Sequence, residues 1–138
     1  MVTGDASPSA VPLWVIDGNN VMGSAADGWW NDPTAAAARL AARVARWART
    51  TDARLVLVFD GAPDEAISAS EGGNLEVRFA RRKGRDAADD RIVEEVEARY
   101  ADHPEANVVT SDRGLIARLP PGVITHGAGG FLRGLPPA

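Results

Sequence analysis

Leu13-Trp14-Val15-Ile16-Asp17 is an apolar run closed by a single carboxylate, and Gly18-Asn19-Asn20 follows it directly. A near-continuous apolar stretch of this length suits a strand buried on both faces, as in a parallel sheet covered by helices. The signature recurs downstream: Leu55-Val56-Leu57-Val58-Phe59 ends in Asp60, and Asn107-Val108-Val109-Thr110-Ser111 ends in Asp112. In an open parallel sheet all strands finish along one edge, and ligands bind there. The pattern therefore brings Asp17, Asp60 and Asp112 to one margin of the molecule. Gly61 also makes Asp60 an ordinary turn residue, so that acid is a second-tier participant.

The segments between these runs read as helices and one further strand. Asp32-Pro33 supplies an N-cap followed by proline at the first helical position. The spacing predicts a helix to about Thr50, with Leu40, Val44 and Trp47 toward the core and Arg39, Arg43 and Arg46 on a solvated face. Residues 61–74 read as a loop or short helix broken at Glu71-Gly72-Gly73-Asn74. Leu75, Val77 and Phe79 alternate with Glu76, Arg78 and Ala80, the pattern of a half-buried edge strand. A helix over about 86–100, a strand at 107–112, a short helix at 114–118 and a last strand within 122–125 complete the order. Strands and helices alternating in this way predict an α/β sandwich with a mainly parallel central sheet. One domain over 12–133 is expected, with flexible ends at 1–11 and 134–138.

Composition narrows the chemistry. The 138 residues contain no cysteine and two histidines, so a thiolate site is excluded and any metal is held mainly by oxygen. Oxygen-only sites favour Mg²⁺, Mn²⁺ or Ca²⁺. A net charge of −4 does not suggest a protein that coats nucleic acid, so charge placement matters more than the sum. The opening residues have neither a basic nor an apolar region of a signal peptide, and no apolar run approaches the ~18 residues of a membrane span. A soluble cytoplasmic protein without membrane contact is expected. Oligomeric state is not legible.

Asp86, Asp89 and Asp90 open the helix after the basic segment. Ile92, Val93, Val96 and Tyr100 mark its buried stripe, and rotation at about 100° per residue puts Asp89 near the stripe's centre. Asp86 falls at its border, and Asp90 projects to the solvent side beside Glu94 and Glu97. A lone acid on an apolar stripe is costly. Shared with Asp17 and Asp112 around a cation, it becomes reasonable. Two carboxylates about 5 Å apart repel by roughly 3 kcal/mol at an effective dielectric of about 20, so such a cluster needs protons or cations. The competing reading of Asp86, Asp89, Asp90 and Asp112 is helix capping and interaction with helix dipoles. For Asp17 it is an Asp-Gly turn.

Four motifs taken together resemble the NYN branch of the PIN-like nucleases, and within it the bacterial YacP-like ribonucleases. They are Ile16-Asp17-Gly18-Asn19-Asn20-Val21, Val58-Phe59-Asp60-Gly61, Asp86-Ala87-Ala88-Asp89-Asp90-Arg91-Ile92 and Thr110-Ser111-Asp112-Arg113. The resemblance implies a Rossmann-like (PIN-like) three-layer sandwich and Mg²⁺- or Mn²⁺-dependent cleavage of RNA. It implies that Asp17 is the metal aspartate of the first strand and Asn20 the polar residue three places on. Asp89 matches the helix acid and Asp112 the acid after the fourth strand. Asp86 stands where relatives often carry glutamate, which shortens its reach. The chain ends soon after residue 130, so the C-terminal elements of longer relatives are expected to be trimmed. RNA is the implied partner, with the ribosome or other RNA-processing machinery as its setting.

Arg78-Phe79-Ala80-Arg81-Arg82-Lys83-Gly84-Arg85 is the densest positive segment and runs straight into the acidic helix. Arg81, Arg82, Lys83 and Arg85 are therefore candidates for phosphate contacts, as is Arg113, while Asn19 and Asn20 offer amides to a phosphate. The competing reading is an edge strand blunted with charge. Trp29-Trp30 is a candidate base-stacking pair or a cover for the core. His103 and His126 have no ligand spacing and receive no role. The reading is an endoribonuclease with Asp17, Asp89, Asp112 and Asp86 as catalytic metal ligands, and with Asp60 and Asp90 second-tier. Two alternatives stand beside it: a hydrolase of nucleotides or small phosphate esters, and a non-catalytic RNA-binding domain. A haloacid-dehalogenase phosphatase fits poorly, because no aspartate stands two residues after Asp17.

Overall fold

Strand β1, Leu13–Asp17, occupies the centre of a five-stranded sheet, because both of its faces are apolar and both need cover. Strand β2, Arg54–Phe59, pairs with one side of it, and β4, Asn107–Val109, with the other. Strand β3, Leu75–Phe79, and β5, Ile124–His126, are the two edges, giving the order β3-β2-β1-β4-β5. All four pairings are parallel. The computed structural model describes residues 11–137. The expected tail of residues 1–11 thus lies outside the described residues, except for Val11.

Helices cover both faces. On one side α1 (Gly18–Gly23), α2 (Pro33–Ala48), α3 (Glu65–Ser68) and α6 (Ala128–Gly134) pack on Ile16, Leu55, Leu57, Phe59, Val77 and Val109. On the other, α4 (Ala87–Ala98) and α5 (Arg113–Ile116) pack on Leu13, Val15, Val56, Val58 and Val108. Each fully buried Val or Leu contributes about 1.5–3 kcal/mol relative to exposure. The result is a three-layer sandwich whose strands run outward from β1 to β3, then return to β4 on the far side of β1. The crevice between the C-terminal ends of β1 and β4 is the topological switch point, where open α/β sheets bind ligands. Among the described residues, no helix is long and apolar enough to cross a membrane.

Several elements differ from the sequence reading. Helix α1 begins directly after β1, where the sequence reading placed no helix, and β4 ends at Val109 rather than at residue 112. Tyr100 is only half-buried, its hydroxyl donating to the Pro121 carbonyl. Glu95 takes a buried place on α4 instead, beside Arg91 and Arg99.

Of the end expected to be flexible at 134–138, residues 134–137 are placed against the body of the domain; Ala138 lies outside the described residues. Leu135 is 8% exposed and joins the core. The Arg43 side chain donates to the carbonyls of Leu132, Leu135 and Pro136 at 2.9–3.1 Å. Arg43 is therefore a clamp rather than part of a solvated face, and it satisfies carbonyls that the end of α6 leaves open. Hydrogen bonds from a charged donor are worth about 1.5–3 kcal/mol each before losses. Arg43→Ala is expected to cost roughly 1–3 kcal/mol in urea unfolding and to open the last residues to carboxypeptidase, whereas Arg46→Ala should do neither.

Candidate active site

Asp17 enters the switch point at the end of β1 and is only 4% exposed. Its Oδ1 accepts the Asn20 N–H at 3.3 Å, which caps α1, and its Oδ2 accepts the Thr110 hydroxyl at 2.9 Å. Gly18 makes this turn feasible. A Cβ there would sit 2.6 Å from the Phe59 ring and 2.7 Å from the Val58 carbonyl oxygen, closer than packed atoms allow. Burial pushes the Asp17 carboxyl up to about 6. The Thr110 and Asn20 hydrogen bonds pull it back, and the charges of Asp89 and Asp112 add to the rise.

The other acids gather around it. A cleft of about 360 Å³ is lined by Asp17, Asp60, Asp86, Asp89 and Asp112, with Asn19, Asn20 and Arg85. Asp89 sits in the first turn of α4, half-buried, as helical rotation required. Burial holds its carboxyl above the ordinary range, as do the charges of Asp112 and Asp86, while Arg118 opposes them. Asp112 caps α5, its Oδ1 accepting the N–H groups of Gly114 and Leu115 at 2.8 and 3.2 Å. Capping and membership of the acid ring are thus compatible, since its Oδ2 accepts no hydrogen bond among the described residues. Asp86 is exposed, makes no capping bond and has φ 61°. It is the one non-glycine with positive φ among the described residues. Such a conformation costs roughly 1–2 kcal/mol for most residues, and less for Asp.

Asn19 and Asn20 fasten α1 to its surroundings. The Asn19 carbonyl accepts the Asp60 N–H at 2.7 Å, and its amide donates to the Asp60 carboxylate at 3.0 Å. The Asn20 carbonyl accepts the Ser111 N–H at 2.7 Å, leaving its amide nitrogen for the cleft. Both asparagines therefore tie the end of β1 to the loops after β2 and β4.

The basic segment divides. Arg81 is held by Glu94, with its closest contact at 2.7 Å. Arg82 is held by Asp90 at 2.7 Å, and Arg118 takes the other Asp90 oxygen at 2.8 Å. These two guanidiniums keep the Asp90 carboxyl below the usual carboxylate range and on the solvent side of α4, apart from the other acids. Lys83, Arg85 and Arg113 are exposed and form no ion pair among the described residues, and of these Arg85 lines the cleft.

Two residues escaped the sequence reading. Thr110, buried beside Asp17, follows Val109, which pairs with Ile16, so the β1–β4 register would have found it. Arg118 offered no local signal, because its link to Asp90 joins α4 to the end of α5. Trp29 packs on the core, whereas Trp30 is 61% exposed. His126 shares a hydrogen bond with Asn107 and stacks on Trp14. A larger cleft of about 420 Å³ lies beside that pair, between Trp47 and Phe131. It is mainly apolar and holds no carboxylate, so the acidic cleft is the better seat for chemistry.

Among the described residues, no three carboxylate or imidazole groups already stand as a ligand shell. The donor set nevertheless fits a hard divalent cation: it is all oxygen, and the charges of its members raise the proton affinity of Asp17 and Asp89. The pH consequence concerns Asp17. Its folded value lies above its unfolded one, so its contribution to stability is complete below 3.8 and is lost as pH rises through about 6. The span corresponds to roughly 3 kcal/mol. In chelator, wild type should lose about that much stability relative to Asp17→Asn between about pH 4 and about pH 7. Parallel urea-unfolding profiles for the two proteins would remove the burial argument.

Comparisons with known proteins bear on the fold and the family. The YacP-like NYN domain family matches residues 14–118. No curated protein matches. Among solved structures, the crystal structure of Rae1 (YacP) from Bacillus subtilis aligns with a TM-score of 0.66 at 24% identity, covering 89% of this chain and 72% of that one. That likeness carries the fold. The family span runs from β1 past α5 and so contains every acid of the cleft, and on that match the chain belongs to the YacP-like NYN domain family, whose function is of nuclease type and directed at RNA.

Proposed function

We propose that the acidic cleft is the active site of an endoribonuclease that hydrolyses RNA phosphodiester bonds with Mg²⁺ or Mn²⁺, acting in the cytoplasm. Asp17, Asp89 and Asp112, aided by Asp86, would hold the ion. The observation that carries this reading is a nearly buried carboxylate at the switch point, coupled by charge to two further acids within the family span. When bound, such an ion supplies Lewis acidity toward the phosphate and makes water a better nucleophile.

The chain's own groups supply the rest. Asp17 must shed the proton that its burial favours, and Thr110 and Asn20 hold it in place as it does so. Asn20 and Arg85 line the cleft, and an amide and a guanidinium suit the non-bridging oxygens of a phosphate. Lys83 and Arg113, exposed and without ion pairs among the described residues, extend that contact along the backbone of a single strand.

Asp17→Ala and Asp89→Ala should each lower Mn²⁺-dependent cleavage of labelled RNA by more than the tenfold to roughly hundredfold typical of outer-shell partners. The far-ultraviolet circular dichroism of both should match wild type. Undiminished cleavage by the purified double variant would refute the assignment. Faster release of phosphate from nucleoside triphosphates than of fragments from RNA would instead favour a small phosphate-ester hydrolase. RNA affinity that survives both chelation and loss of Asp89, without cleavage, would mark a binding domain.

A further inference from the structure

The loop joining β3 to α4 is exposed from Arg81 to Asp86, so burial of apolar surface does not define its shape. It nevertheless makes two left-handed steps, at Gly84 with φ 107° and at Asp86 with φ 61°. Its conformation is written in hydrogen bonds to one side chain. Arg82 Nη1 donates to the Lys83 carbonyl at 3.2 Å, and Nη2 donates to the Arg85 carbonyl at 3.0 Å. Nε and Nη2 also reach Asp90 Oδ2, at 3.2 and 2.7 Å. Four of the five guanidinium N–H groups are thereby committed, which leaves little of Arg82 for a phosphate. Asp90 is fixed in turn, because Arg118 holds its other oxygen at 2.8 Å.

We propose that Arg82 and Asp90 are positioning residues: the loop is moulded around the Arg82 guanidinium, Asp90 anchors that guanidinium to α4, and Arg85 and Asp86 are thereby presented to the cleft. The proposal rests on the reading of that cleft as a ribonuclease site. It moves Arg82 from the phosphate-binding group and Asp90 from the acid group into a shared latch. The geometry demands a planar fork with donors in several directions, which a lysine of equal charge does not supply. Exposed ion pairs contribute little to global stability, so the latch acts on the loop and not on the fold.

Two readouts separate the latch from the chemistry. The first, without RNA or metal, is amide hydrogen exchange of Ala87, whose buried N–H donates to the Gly84 carbonyl at 3.3 Å and so reports the loop's shape, in wild type, Arg82→Lys, Arg82→Ala and Asp90→Asn. Arg82→Lys should speed exchange there as much as Arg82→Ala does, with melting temperatures unchanged. The second is steady-state cleavage of an oligoribonucleotide with Mn²⁺. There kcat should fall by roughly tenfold to a hundredfold in Arg82→Lys and Arg82→Ala alike, since small misplacements carry penalties of that order. Wild-type exchange and cleavage in Arg82→Lys would overturn the proposal, showing that Arg82 serves as a point charge for RNA. Faster exchange with unaltered kcat would overturn it equally, because the loop's shape would then not matter to the site. Failure of the wild type itself to cleave RNA would sink the ribonuclease reading, and the exchange data alone would then decide the latch.

Discussion

The burial of Asp17 is the constraint around which the site is arranged. A carboxylate that is 4% exposed at the end of a central strand must be compensated, and each compensation fixes another piece of the molecule. The Asn20 N–H reaches it only if a helix starts at once, which requires Gly18 against Phe59 and Val58. The Thr110 hydroxyl reaches it only if β4 lies directly beside β1. The side chains of Asn19 and Asn20 then hold the loops after β2 and β4 to the same short helix. Placement of the acids and placement of the strands are thus one problem, solved at the switch point.

What could be read from the sequence was what depends on short range. The apolar runs before Asp17 and Asp60 became strands, the first ending at Asp17 and the second at Phe59, and the alternation of Leu75, Val77 and Phe79 became an edge. Helical periodicity turned Asp89 into the cleft and Asp90 away from it without any knowledge of the sheet. The failures involve partners distant along the chain. Arg43 looked like one of a row of solvated arginines because its acceptors lie 89 to 93 residues away. Thr110 looked like the tail of a strand until strand register put it beside Asp17. Arg82 looked free because Asp90, four residues into α4, had been counted among the acids.

Charge is distributed so that the acidic margin is not simply neutralised by its neighbours. On the face under α4, β3 contributes Glu76 and Arg78 in place of apolar residues, and the helix answers with Arg99, Glu95 and Arg91. Arg91 Nε lies 2.9 Å from Glu95 Oε2 but without hydrogen-bond alignment, so this contact is one of charge and leaves a buried donor unpaired. Such a network stabilises little in net terms. Its effect is on the edge, since a charged β3 discourages pairing with another sheet. Arginines consumed there and by Glu94 are withheld from the acids of the cleft, whereas Arg118, held by Asp90, still offsets part of the charge around Asp89.

The acids that remain are of two kinds. Asp17 and Asp112 accept hydrogen bonds from the protein, and their orientations are fixed by strand ends and helix starts. Among the described residues the side chains of Asp86 and Asp89 accept none, and the first turn of α4 and the loop before it locate them. Like charges repel, and among the described residues the four acids do not form a closed ligand shell. Under the proposed reading, a divalent cation reverses the sign of that force. The fixed acids would then supply geometry, Asp86 and Asp89 would complete the shell, and the loop moulded around Arg82 would present Asp86 to it.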